Sequence, residues 1–543
     1  MQKLFFALAP CLRLASASAE VLREVDLGYA RYQTNLSLSE GVTSFLGIRF
    51  ATPPTDDQRF RAPQPPQHVV DVQNATRQPC QCQQASIFGS PGLSTRNPFR
   101  QADLGKRDIS ITGPICEDCL FLNVHTPSDS NELSLLPVVV YFYSGGYDGG
   151  NLSAFPAQDF VKESNHGVVV VQSQYRLGLF GFLPGQAVKD DGDLNAGLLD
   201  QQFALKWVQE HIIKFGGDPT EVTIWGQSAG AGSVLEHIVA NNHGGKDRPL
   251  FRAAIMNSPF LPFHYYYNDT IPEKLYNNAV SFANCSSSSD TLACLRSADA
   301  STLLDADSAI GSNNFLETYT FVPVIDGVLI TERPTVSLDR GLVNGEVVLI
   351  TTNSHEGNFF VNSTTLVTAG LTLTDYITQL FPRLNETLIQ ATASIYSRSE
   401  FATLEAQAGA VYGESIIICP AYYVLDAFGG RGWKGEFAIE PGTHALDLSY
   451  EFLTFAIPPT FNNSAFQKAF AQSFLSLSIS QDPNIHIEPS DIKPFWPLWS
   501  HGSHEMFFNK TETDVPIVEV MQTDSGLLER CRWWKSISSV VGQ

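Results

Sequence analysis

Several short stretches of the chain are apolar at nearly every position rather than at alternate ones: residues 136–143, 168–171, 222–225 and 346–350. Runs of this length, rich in Val and Ile, predict strands buried on both faces. Between them the period changes. Leu199, Phe203 and Trp207, with Ala204, Val208, Ile212 and Phe215, recur every three to four residues and predict an amphipathic helix that Gly216-Gly217 closes. Strands alternating with helices predict a mostly parallel sheet with helices on both faces, an α/β fold. Low complexity is confined to residues 286–289 and a Pro/Gln-rich loop to residues 62–67, with no repeat and no clear linker. Residues 20–543 therefore read as one large domain.

One of these strands leads into chemistry. Val222-Thr223-Ile224-Trp225 runs directly into Gly226-Gln227-Ser228-Ala229-Gly230, and a helix-like run follows. G-x-S-x-G between a strand and a helix predicts a nucleophile elbow, whose sharp turn leaves no room for side chains at the two glycines. A serine attacks only when a base takes its proton, and the base needs an acid to hold its tautomer. The hydrolase order is Ser, acid, His. Several histidines follow Ser228, and spacing alone does not choose among them.

Composition narrows the partners. The chain has 543 residues, 43% of them hydrophobic and 17% charged, enough to bury a large core. A formal net charge of −22 argues against nucleic acid and anionic membranes. No later run reaches the roughly eighteen apolar residues of a membrane span.

Residues 1–19 have the form of a signal peptide, with Lys3 at the start, an apolar centre and Ala17-Ser18-Ala19 as cleavage site. Nine N-x-S/T sequons, at Asn35, Asn74, Asn151, Asn268, Asn284, Asn362, Asn385, Asn462 and Asn509, agree with a secreted glycoprotein. Beyond Cys11 in the leader stand Cys80, Cys82, Cys116, Cys119, Cys285, Cys294, Cys419 and Cys531, an even set that in an exported chain reads as disulfides. The C-x-C and C-x-x-C pairs match common zinc spacings poorly, so no metal is expected.

Longer motifs carry a family resemblance, over about residues 47–534. Cys116-Glu117-Asp118-Cys119-Leu120-Phe121-Leu122-Asn123-Val124, Gln174-Tyr175-Arg176-Leu177-Gly178, Asn195-Ala196-Gly197-Leu198-Leu199-Asp200-Gln201 and Phe215-Gly216-Gly217-Asp218-Pro219 occur in order before the elbow. This series resembles the type-B carboxylesterase/lipase family, which includes cholinesterases and fungal lipases of the α/β-hydrolase fold. The resemblance implies Ser228 as nucleophile. It implies Glu356 as triad acid, within Asn353-Ser354-His355-Glu356-Gly357, where His355 replaces the family's Asp. It implies His444 as base, within Gly442-Thr443-His444-Ala445-Leu446-Asp447-Leu448, whose glycine stands one place nearer the histidine than in the family. The oxyanion-hole amides would be those of Gly145, Gly146 and Ala229, in a loop Tyr143-Ser144-Gly145-Gly146-Tyr147 where Ser144 replaces a glycine.

By the same resemblance Cys82 pairs with Cys119, Cys285 with Cys294 and Cys419 with Cys531. Cys80–Cys116 would be an extra bridge, with the crossed pairing Cys80–Cys119 left open. Tyr319 falls where relatives line the acyl pocket. The function implied is a secreted serine hydrolase, without cofactor, acting on a small-molecule or lipid ester. A lipase is the nearest alternative, although residues 83–118, where a lid is expected, show no clear helical stripe. A binding protein of this fold that has lost its nucleophile is the alternative from another class, and the intact triad positions argue against it.

Overall fold

The computed structural model describes residues 21–84, 114–241, 249–311, 319–361, 366 and 370–543. The expected signal peptide (residues 1–19), most of the stretch expected to form a lid and the sequon at Asn362 lie outside them. Among the described residues ten strands form one sheet: β1 (Val42–Arg49), β2 (Phe121–Pro127), β3 (Leu136–Phe142), β4 (Val169–Ser173), β5 (Gly217–Gln227), β6 (Ala253–Asn257), β7 (Val347–Asn353), β8 (Gly432–Phe437), β9 (His504–Lys510) and β10 (Pro516–Gln522). Their order is β10-β9-β8-β7-β6-β5-β3-β4-β2-β1. From β9 to β4 neighbours run parallel. The antiparallel pairings are confined to β1, β2 and β10 at the edges. This is the mostly parallel sheet expected from the apolar runs, in the α/β-hydrolase arrangement that the family resemblance implied.

The uniformly apolar runs are central strands because both faces are covered. β4 and β6 are buried at every position. Side chains alternate along a strand. On β5, Trp225 packs on Phe474 of one helix, and the next residue, Gly226, faces Gly230 on the other side of the sheet.

The helices used below are α1 (Gly178–Phe182), α2 (Ala196–His211), α3 (Ala229–Val239), α4 (Ala300–Gly311) and α5 (Leu404–Ala427). The helix expected through Phe215 ends as α2 at His211, and a 3₁₀ turn, Ile212–Phe215, completes the apolar stripe. Gly216 takes φ +92° and Gly217 already opens β5, so the strand is longer than its apolar centre suggested. α5 is long and apolar enough to cross a membrane, but 94% of its apolar window is buried inside the protein, where it is a core helix interrupted by a π segment at Glu414–Ile418.

The disulfides are Cys80–Cys116, Cys82–Cys119, Cys285–Cys294 and Cys419–Cys531, and the crossed pairing is absent. Of the sequon asparagines, Asn35, Asn74, Asn268, Asn284, Asn385 and Asn462 are exposed and Asn509 is half-buried. Asn151 is buried, and its Oδ1 accepts from Ser153 Oγ (2.6 Å) and the Ala154 N–H (3.0 Å).

Candidate active site

The candidate residues lie on segments that leave the C-terminal ends of neighbouring parallel strands, where open α/β sheets carry their sites. Ser228 follows β5 and opens α3, with φ +55° and ψ −122°. That conformation costs a serine energy, and such strain is typical of functional turns. The turn excludes side chains on both flanks. A Cβ on Gly226 would stand 2.3 Å from the Gly230 carbonyl carbon, and one on Gly230 would stand 2.0 Å from the Phe142 carbonyl oxygen. The Ser228 N–H donates to the Asn257 carbonyl at the end of β6 (2.9 Å), and its own carbonyl accepts from the Gly232 N–H (2.7 Å).

Glu356 and His444 meet. His444 Nδ1 lies 2.6 Å from Glu356 Oε2, and both residues are buried. The other carboxylate oxygen, Oε1, accepts from Ser258 Oγ (2.6 Å) and the Asn353 N–H (2.6 Å). With both oxygens occupied, the carboxylate fixes the ring with Nε2 on the side away from it. Nε2 has no hydrogen-bond partner, so the Ser228 hydroxyl is not bonded to it; catalytic contacts of this kind are often long before substrate binds. Phe360 and Phe359 flank the imidazole, at ring separations of 5.0 and 5.8 Å.

The departures from the family motifs have local explanations. His355 is exposed, so the side chain that replaces an Asp faces away from the buried pair. Gly357 must stay a glycine, because a Cβ there would stand 1.8 Å from the Gly409 carbonyl of α5. The displaced glycine, Gly442, has φ +62°, and a Cβ on it would stand 2.1 Å from Ser354 Oγ. Ser144 is accommodated because it is not among the residues of positive φ, whereas Gly145 (+131°) and Gly146 (+66°) are.

The candidate oxyanion loop is set by its neighbours. Tyr143 stacks on Tyr175 at 4.5 Å, and each hydroxyl donates to the other's carbonyl. A Cβ on Gly146 would lie 1.8 Å from Cε1 of Tyr319, so the Tyr319 ring rests directly on the loop. Tyr319 also lines an apolar cavity of about 200 Å³ with Phe182, Phe263, Leu275, Val322 and Leu380. The block around Arg176 is structural: its guanidinium is buried on Asp200, at 2.8 and 2.7 Å.

Sequence reasoning missed the groups that hold the acid. Ser258 and Asn353 end or follow strands β6 and β7, and nothing in their local spelling marks them. Behind them, Asn353 Nδ2 donates to Asp447 Oδ1 (3.0 Å), and Asp447 is hydrogen-bonded to Glu451. Burial, then the Glu356 charge, pushes the Asp447 carboxyl up; burial and the Asp447 charge push Glu451 well above the usual range. Two buried acids in contact share a proton rather than both ionise.

A model of the carboxylesterase family matches residues 30–477. Secreted lipase 1 of Botryotinia fuckeliana is 34% identical over 356 residues, 63% of this chain and 60% of that protein. Lipase 4 of Diutina rugosa is 30% identical over 85% of this chain and 86% of its own length. Carboxylesterase patB of Penicillium expansum is 28% identical over 94% and 95%. The crystal structure of Aspergillus niger EstA superimposes with a TM-score of 0.81 at 30% identity, covering 96% of this chain and 99% of that one.

Proposed function

The chain belongs to the carboxylesterase family, and from that premise we propose that it is a secreted serine hydrolase of neutral carboxylic esters with apolar acyl groups. The observation that carries this reading is the buried His444–Glu356 pair, at 2.6 Å with Nε2 unengaged, on the same edge of the sheet as the strained elbow at Ser228.

In this mechanism Ser228 Oγ attacks the ester carbonyl while His444 Nε2 takes the hydroxyl proton. Glu356 holds the ring and stabilises the imidazolium. The negative oxygen is received by the amides of Gly145, Gly146 and Ala229, each donor contributing roughly 3 kcal/mol to the transition state. Collapse of the tetrahedral intermediate breaks the bond to the alkoxide, which leaves as the alcohol with the proton from His444. Water then attacks the acyl-enzyme, giving its proton to His444, and the second collapse returns that proton to Ser228 as the acid departs.

Support for apolar, uncharged substrates comes from the cavity beside Tyr319 and from two absences relative to cholinesterases: residues 83–118 contain no Trp, and Gln227 stands where those enzymes place a Glu. The second reading, a triacylglycerol or sterol-ester lipase, is favoured by the names of the fungal relatives. Support for secretion comes from the form of residues 1–19, the disulfides and a relative named as secreted. Hydrolysis of aryl, triglyceride and sterol esters of graded chain length, with Ser228→Ala as control, tests the proposal. Hydrolysis of soluble short and medium acyl esters, lost in Ser228→Ala, is expected. A variant as active as the parent overturns it, and a rate that rises sharply only with emulsified triglyceride selects the lipase reading.

A further inference from the structure

The loop that carries Gly145 and Gly146 is anchored at its start by the Tyr143–Tyr175 stack and at its end by Gln84, which exchanges two hydrogen bonds with Gly150 (3.0 and 3.2 Å). Between these anchors lies Asp148. Its carboxylate accepts the Thr320 backbone N–H, next to the Tyr319 ring that rests on Gly146. A second carboxylate, Asp307 on α4, accepts the Leu179 N–H in α1. Its Oδ2 occupies the space beside Gly178, 2.1 Å from where a Cβ would be, and the Gly178 N–H bonds the Tyr147 carbonyl (2.8 Å). The two acids thus hold the segments at 319–320 and 177–179 against which the loop rests. We propose that Asp148, acting with Asp307, is a positioning residue for the oxyanion hole.

The pair is unusual in having no cation to neutralise it. Among the described residues neither acid has a salt bridge, and Asp148 Oδ1 and Asp307 Oδ2 have no hydrogen-bond partner. On the elements packed here, Arg176 is held by Asp200, Lys274 and Asp305 are exposed, Glu273 accepts from the Gln186 N–H, and the other titratable groups are Tyr147, Tyr276 and Tyr319. Burial and the charge of Asp307 push Asp148 well above the usual carboxylate range, and burial takes Asp307 up to about 7. Below that pH the pair carries at most one negative charge. The first charge therefore falls on Asp307 near that pH; the second, on Asp148, comes only as the pH rises further, with nothing to balance it, and repulsion then displaces the loop that presents the oxyanion donors.

This inference rests on the assignment of Gly145 and Gly146 as those donors. The experiment compares Asp148→Ala, Asp148→Asn and Asp307→Asn with the parent: kcat and KM on a neutral aryl ester from pH 5 to 10, and affinity for a trifluoromethyl ketone, whose adduct places an oxyanion in the hole. Organophosphate titration of Ser228 in every variant reports separately whether the serine-hydrolase reading stands. Asp148→Ala should lower kcat about tenfold or more, with KM within about threefold, and weaken the ketone by a similar factor. Asp148→Asn, which keeps an acceptor for Thr320, should recover most of that loss, and both Asn variants should lose the alkaline fall in kcat. If Asp148→Ala does not fold, the two isosteric Asn variants carry the test through their pH profiles. Unchanged kcat in the folded Ala variant, or an alkaline limb that persists in both Asn variants while Ser228 still titrates fully, overturns the proposal.

Discussion

Removing the Ser258 hydroxyl isolates the support given to Glu356, the proposed triad acid. In the structure Ser258 Oγ donates to Glu356 Oε1 at 2.6 Å, in a site closed to solvent, and the Asn353 N–H is the other close donor to that oxygen. Ser258→Ala leaves the backbone bond and the His444 bond in place, so Glu356 stays where it is but loses one of three short contacts. A hydrogen bond to a charged group contributes about 1.5–3 kcal/mol when its loss leaves the charge under-satisfied. At about 1.4 kcal/mol per tenfold change in rate, a loss expressed wholly in the step where imidazolium forms slows kcat by about 10- to 100-fold. The removed hydroxyl bonds Oε1, the carboxylate oxygen that does not hold His444, so KM should stay within about threefold of the parent. The assay is steady-state hydrolysis of a chromogenic neutral ester, with circular dichroism and a thermal melt to verify folding. A folded variant whose kcat is within twofold of the parent refutes the claim that Glu356 depends on this contact. So does one in which only KM rises, since that pattern reports lost ground-state binding.

Gly146→Ala forces a methyl into the Tyr319 ring at a residue of φ +66°, so kcat should fall about 100-fold or more, and adding Tyr319→Ala should recover at least tenfold; a double variant no better than the single one places the damage elsewhere. Burial and the Glu505 charge raise the Glu436 carboxyl to about 7, so the folded state holds a proton that the unfolded chain releases near the ordinary value of about 4.5. The stability this provides is complete below that lower pH and lost as pH rises through about 7, so the melting temperature should decline from pH 5 to 8 and the decline should flatten in Glu436→Gln. Peptide mapping of secreted protein should find an N-terminus near Glu20, glycans among the exposed sequons and Asn151 unmodified, because its side chain is buried as a cap; a glycan at Asn151 contradicts that reading of its environment.

The parts of the fold that were legible were those where local chemistry leaves one choice. Uninterrupted Val-rich runs such as 136–143 have no polar face to expose and so lie in the sheet's centre. The glycines around Ser228 are spelled out because a Cβ at Gly226 or Gly230 meets backbone within 2.3 Å. The strand lengths were less legible: β5 begins five residues before its apolar centre because Gly217 pairs with Leu136 through the sheet, a long-range contact with no local signature. Glu356 and His444 were reached only through resemblance, since their pairing spans 88 residues and depends on where β7 and β8 end. Ser258 and Asn353 escaped because an ordinary serine and asparagine acquire their role only when three strand ends converge. The buried acid pairs, Asp447 with Glu451 and Asp148 with Asp307, escaped because in sequence they read as solvated charges.

The central claim is that Ser228 forms the covalent intermediate with His444 as its base. The direct measurement is mass-spectrometric mapping of protein treated with a fluorophosphonate ester, alongside loss of ester hydrolysis, in the parent, Ser228→Ala and His444→Ala proteins. The account predicts one phosphonyl group per chain, on the peptide carrying Ser228, with inactivation proportional to labelling, no adduct in Ser228→Ala and labelling slowed by several orders of magnitude in His444→Ala. Stoichiometric labelling at another serine, or equal labelling rates in parent and folded His444→Ala protein, contradicts it.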